Sequence, residues 1–127
     1  VMFGNGVVSE RGEEDRPKPC QVTFIHESRQ GMGRSVHFNE IGMLVLCRDP
    51  APLQARLQLS LHFPGLKNAI DVEGEVVWSN QYGPDDPMTP RGMGVKFTDL
   101  DPATARLLAD FSLRYRVYGT QYELFYS

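Results

Sequence analysis

His37, Asn39 and Glu40, set between strand-forming residues, are the side chains best placed in this chain to handle a ligand. A neutral imidazole donates through one nitrogen and accepts through the other, a carboxamide does both, and a carboxylate accepts. The surrounding pattern explains how they would be held. Val36 and Phe38 alternate with polar neighbours, Asn39 and Glu40 interrupt, Gly42 supplies backbone freedom, and Leu44 and Leu46 resume the alternation. The stretch from Ser35 to Cys47 therefore reads as strand, turn, strand, with polar groups reaching solvent from a rigid frame. A hairpin corner with no ligand satisfies the same pattern.

The elements that must carry this break follow from the rest of the chain. Residues 1–19 are rich in Gly, Glu, Asp, Arg and Pro and read as a flexible arm, entering residues 20–127 extended because Pro17 and Pro19 disfavour helix before them. Val22, Thr23, Phe24 and Ile25 make a first strand, residues 28–33 punctuate it with glycines, and residues 34–38 return as a second. After a proline-marked connection, Leu57, Leu59, Leu61 and Phe63 recur at a spacing of two, giving one buried and one wet face. Ile70, Val72, Gly74, Val76 and Trp78 repeat that alternation, with Gly74 marking a bulge or bend and Trp78 on the apolar phase, packed in the core or at a barrel rim. Residues 80–91 form a loop in which Asp85 and Asp86 read as solvated acids, and residues 92–97 make a last strand.

Asp101 followed by Pro102 is a helix start, Asp as N-cap and Pro at the first helical position. Leu107, Leu108, Phe111 and Tyr115 then give one apolar face to a helix reaching about residue 116. About six short strands and one late helix predict a mainly β fold, a small six-stranded antiparallel barrel with a C-terminal α-helix.

Composition excludes several function classes. The chain has 127 residues and a net charge of −3, with no basic stripe, which argues against a nucleic-acid polymer or a membrane surface as partner. No apolar run approaches the roughly 18–20 residues needed to cross a bilayer, so no membrane insertion is expected and the chain reads as cytoplasmic. Cys20 and Cys47 lack CxxC spacing and read as small core or strand residues. His26, His37 and His62 are scattered, and no nucleophile motif, phosphate loop or paired-carboxylate arrangement is present, so neither a metal, a cofactor nor an enzyme activity is expected. Tyr115, Tyr118, Tyr122, Phe125 and Tyr126 concentrate aromatic surface near the C-terminus, a candidate patch for a partner or for a second copy in a homodimer.

An arginine-bearing arm, a hairpin, a polar break closed by Gly42, the strand Val72-Glu-Gly-Glu-Val-Val-Trp78, the strand Gly92-Met-Gly-Val-Lys-Phe97 and a terminal helix together resemble the PilZ domain over residues 11–111. The resemblance implies a bacterial receptor for cyclic di-GMP, whose ligand residues form an Arg-x-x-x-Arg motif in the arm and an Asp/Asn-x-Ser-x-x-Gly motif at the first strand break. Carried onto this chain, it implies Arg11, Arg16, His37, Asn39 and Gly42 as the binding set. Arg11 and Arg16 are separated by four residues instead of three, with Gly12 at the family's position and Lys18 as a weaker substitute. His37 stands at the Asp/Asn position and Asn39 at the Ser position; only Gly42 is retained.

The motif chemistry suits an anionic dinucleotide. Guanidinium groups pair with guanine acceptors or grip phosphate through two parallel hydrogen bonds, while Glu13, Glu14 and Asp15 oppose it. The resemblance further implies relay of the messenger to an unidentified protein partner through ordering of the arm. The alternative is a PilZ-like adaptor that does not bind the nucleotide and acts by protein contact in motility or pilus regulation.

Overall fold

A computed structural model describes residues 18–86 and 88–115. Six strands, β1 (Cys20–His26), β2 (Arg29–Phe38), β3 (Gly42–Cys47), β4 (Arg56–His62), β5 (Ile70–Asn80) and β6 (Gly92–Thr98), precede one helix, α1 (Pro102–Ser112). All pairings are antiparallel, and the sheet closes as a barrel in the order β1-β2-β3-β6-β5-β4. The expected mainly β barrel with a late helix is the fold observed.

The period-two pattern fills the barrel. Val22 and Phe24, Met43 and Val45, Leu57, Leu59 and Leu61, Val72 and Val76, and Met93, Val95 and Phe97 are all buried in one cluster. Each such side chain contributes about 1.5–3 kcal/mol by leaving water. Cys20 and Cys47 lie in the same cluster as free thiols, as expected, and burial is the main cause pushing both up to about 12.

Antiparallel order sorts the connections between two rims. The start of β1, the β2–β3 break, the β4–β5 turn and the end of β6 share one rim, called here the upper rim; α1 caps it through Leu108 and Phe111, and the turn after the helix through Tyr115. At the lower rim the β3–β4 connection crosses the opening, with Ala51 and Ala55 buried beneath it. It is pinned by Ser79 Oγ donating to the Ala51 carbonyl at 2.7 Å and by Gln81 Nε2 donating to that of Pro50 at 3.1 Å.

Several local expectations need correction. The β1–β2 turn is not the glycine segment but Glu27 and Ser28, both left-handed (φ 49° and 74°), the two-residue hairpin geometry that matches strand twist. Gly31 and Gly33 lie inside β2; the Phe24 ring fills the space a Gly31 Cβ would take. Gly74 is in regular register for the same kind of reason, with Val95 where its Cβ would project, and the bulge in β5 falls instead between Val76 and Trp78. α1 ends at Ser112, with turns to Tyr115, and Asp101 makes no side-chain cap; its carbonyl accepts from Ala105 N–H. Leu107 faces outward. Asp85 and Asp86 are not merely solvated acids. Asp85 accepts from Arg91 N–H, and Asp86 from the backbone of Met88 and Thr89, while Asn80 gathers three loop carbonyls, so the described residues 81–86 and 88–91 are tied together by hydrogen bonds.

Candidate functional site

The break at the upper rim is built by Asn39. Its Oδ1 accepts from the N–H of Ile41 at 2.8 Å and of Gly42 at 3.0 Å, and its own N–H donates to the Gly42 carbonyl at 3.0 Å. This side chain mimics a turn of backbone, the local use for which Asn is suited. Its carbonyl oxygen is therefore occupied by the turn. Gly42 opens β3 in register with Lys96; among the described glycines only Gly65 has a positive φ, so Gly42 is not needed for left-handed backbone as the sequence suggests.

His37 sits beside a second irregularity. The register of β2 against β3 shifts between Arg34 and His37, and the buried Ser35 hydroxyl bridges the shift, donating to the His37 carbonyl at 3.2 Å and accepting its N–H at 3.3 Å. The extra residue turns His37 to the outer face while Phe38, next in sequence, enters the core. Burial lowers the His37 pKa from 6.5, so the imidazole is neutral at neutral pH, able to accept as well as donate.

That outer face continues across four strands. His37 pairs with Leu44, Leu44 with Gly94, and Gly94 with Trp78, one row over β2, β3, β6 and β5. Gly94 leaves a gap in which Trp78 and Leu44 meet, and Leu44 is fully buried although it points out of the barrel. The next row runs Arg34, Leu46, Gly92 and Asn80, and Lys96 stands beside Gly42. Arg34 and Lys96 are exposed and form no ion pair among the described residues. The result is a row of largely covered groups on the outer face, with Leu44 fully buried, an indole at one end, an imidazole at the other and two exposed cations beside it.

The sequence reading placed Trp78 in the core or at a rim; the β5 bulge puts it on the outer face instead, which makes it, with Leu44 and Leu46, the part of the outer face that reading missed. The signal available was Gly92-x-Gly94, two glycines on one strand face, which marks a close approach by a neighbouring residue.

Arg11 and Arg16 lie outside the described residues. The arm joins the barrel at Lys18, and Cys20 pairs with Ser35, two residues before His37.

A family model for the PilZ domain matches residues 9–114. The chain belongs to the PilZ domain family. No curated protein matches it. PilZ domains are binding and regulatory domains, and in this one the strand break lies at the rim where the chain enters at Lys18, while the row that starts at His37 runs away from that rim to Trp78, two residues before the end of β5. Among the described residues no group of three or more His, Cys, Asp or Glu side chains is placed to hold a metal ion, and no helix is long and apolar enough to cross a membrane.

The buried imidazole has a consequence for stability. The His37 pKa is depressed in the folded state, so the unfolded chain takes up the proton first as pH falls below about 6.5. Stability contributed by neutral His37 is full above that pH and declines as pH falls toward the native value. Thermal melts at pH 7.5 and 5 should show a smaller drop for His37→Gln than for the parent; equal drops would remove His37 as the cause.

Proposed function

We propose that this PilZ domain binds cyclic di-GMP along the outer-face row and passes the bound state to a protein partner by ordering the arm. The observation that carries the reading is the strand break at His37 and Asn39, on the rim where the chain enters at Lys18, from which a row through Leu44 and Gly94 leads down to Trp78. An indole offers a stacking face to a guanine base. His37 and Asn39 Nδ2 supply hydrogen bonds at the other end, and Gly42 keeps the break free of side-chain bulk. Arg16 and Arg11, carried by the arm, close over phosphate or base; Arg34 and Lys96 add positive potential from the barrel. Ligand energy then shifts the arm from many conformations to few, and the surface shown to the partner changes with it.

A second reading, an adaptor without nucleotide, is favoured by one detail. The Asn39 carbonyl oxygen is held by its own turn and so is not offered to a base edge.

Calorimetric titration with cyclic di-GMP at near-physiological salt separates the two. The expected result is binding near micromolar, about −8 kcal/mol, that disappears in Arg16→Ala. Absence of heat up to about millimolar nucleotide, roughly −4 kcal/mol, would leave the adaptor reading standing.

A further inference from the structure

The two ends of the barrel are finished differently. At the upper rim α1 covers the opening, and the Tyr115 hydroxyl donates a 2.7 Å hydrogen bond to the Lys18 carbonyl, 97 positions away in sequence. At the lower rim a cavity of about 860 Å³ lies between the β1–β2 hairpin and the β3–β4 connection, and the β5–β6 loop lines it as well. Mouths of β-barrels are among the places where small ligands bind.

The hairpin explains both the space and its chemistry. Phe24 and Gly31 pair across β1 and β2, and the Phe24 ring occupies the place of a Gly31 Cβ. Two residues nearer the rim on each strand, and on the same face, the pair is His26 and Arg29. The last inward layer of the hairpin is therefore an imidazole beside a guanidinium instead of an apolar pair, and both line the cavity.

His26 Nδ1 is buried and has no hydrogen-bond partner among the described residues, a state that folded proteins rarely leave uncompensated. Nε2 of the same ring lies 3.6 Å from a Glu27 carboxylate oxygen, which favours a proton on Nε2 and leaves Nδ1 as an acceptor. A hydroxyl or an N–H from outside the chain would complete it. Arg29 and Arg48 reach the cavity from β2 and from the residue after β3, are exposed, and form no ion pair among the described residues. Guanidiniums in this state suit a carboxylate or a phosphate. Glu27 and Asp49 stand at the same mouth and offset the two cations, so one anionic group is accommodated where a polyanion is not. Tyr82, 90% exposed, presents an aromatic face at the entrance.

We propose that the lower mouth is a binding site for a small hydroxylated organic anion: Arg29 and Arg48 hold its carboxylate or phosphate, a hydroxyl donates to His26 Nδ1, and the Tyr82 ring packs on its body. The site lies at the opposite end of the barrel from the strand break and stands independently of the nucleotide reading.

Amide and imidazole NMR spectra of the full chain, titrated separately with gluconate and with glycerol phosphate, test this. At least one probe should shift Gln30, Arg48 and Tyr82 saturably, with half-saturation below about 1 mM, and move the His26 Nδ1 resonance. The tighter of the two tells carboxylate from phosphate. Arg29→Gln and Arg48→Gln, both at exposed positions, should each weaken that probe about tenfold, with Ile41 and Gly42 at the upper rim unshifted. Hexanoate, which is gluconate without its hydroxyls, should bind the parent about fivefold more weakly than gluconate does, and the gap should close in His26→Leu. No saturable shift at the lower rim with either probe would overturn the site, as would affinity unchanged by both arginine substitutions. Inorganic phosphate binding as tightly as glycerol phosphate and gluconate would reduce the site to surface charge and overturn it too. A preference for gluconate over hexanoate that survives in His26→Leu would overturn the role given to His26.

Discussion

Phe63→Ala is expected to lower stability by about 3–5 kcal/mol, the range for deleting a buried aromatic ring. Phe63 follows β4, is 4 % exposed, and stands between Phe38 at 5.3 Å and Phe111 at 4.7 Å. Its ring supports the strand break from one side and α1 from the other. Aromatic pairs at these separations add about 0.5–1.5 kcal/mol beyond burial, and two are lost together. A domain of this size has only about 5–15 kcal/mol in total. Thermal melts should therefore show a drop of the midpoint on the order of 10–20 °C. Phe63→Leu, which refills most of the volume, should recover more than half of it. A loss below about 1.5 kcal/mol would mean that the helix does not depend on this ring.

Gly92→Ala should cost about 2–3 kcal/mol or more, although it adds a single methyl. A Cβ at Gly92 would fall against the Val45 carbonyl oxygen and within 3.1 Å of the Leu46 Cα, both backbone atoms of the paired strand β3. Backbone cannot rotate aside as a side chain does, so β3 and β6 must separate locally, and they are the two strands that carry Leu44 and Gly94. Gly65→Ala provides the comparison. Gly65 has φ +88° with nothing within 4 Å of an added Cβ, so its cost is confined to left-handed strain, about 1–2 kcal/mol. Urea unfolding of both variants should rank Gly92→Ala as the more damaging; the reverse order would show that the β3–β6 pairing yields to the methyl.

The reach of the sequence can be judged element by element. β4 was legible because Leu57, Leu59 and Leu61 keep strict period two with no bulge, and β6 because its bounding loop is rich in proline and glycine. The helix start was legible from Asp101-Pro102, its end was not. Leu113 and Tyr115 continue the apolar spacing, yet the last turns tighten to i→i+3 bonds, Arg114 N–H to Phe111 and Tyr115 N–H to Ser112, and no glycine or proline marks the change. The hairpin turn at Glu27 and Ser28 was hidden for a related reason. Neither residue favours positive φ, and the register of β1 with β2 imposes it. The strand break was readable as a polar interruption, and Asn39 and Gly42 are hydrogen-bonded to each other there, while His37 bonds back to Ser35. The remainder of the candidate site was not readable. Both bulges, at Ser35–Val36 and at Val77, exchange inside for outside along half a strand, and a period-two reading cannot detect an added residue without knowing the partner strand.

The count of strands itself has a consequence. In a closed antiparallel barrel an even number of crossings returns the backbone to the rim from which it set out, so the incoming segment at Lys18 and the outgoing helix are neighbours by parity. With five strands or seven they would stand at opposite ends, about a strand's length apart, and a hydroxyl on one could not touch a carbonyl on the other. The three lower-rim connections, including the turn at Glu27–Ser28, the crossing segment and the loop gathered by Asn80, are thereby relieved of any part in that contact. That end of the barrel is free to vary in length and chemistry while the upper rim keeps its wiring.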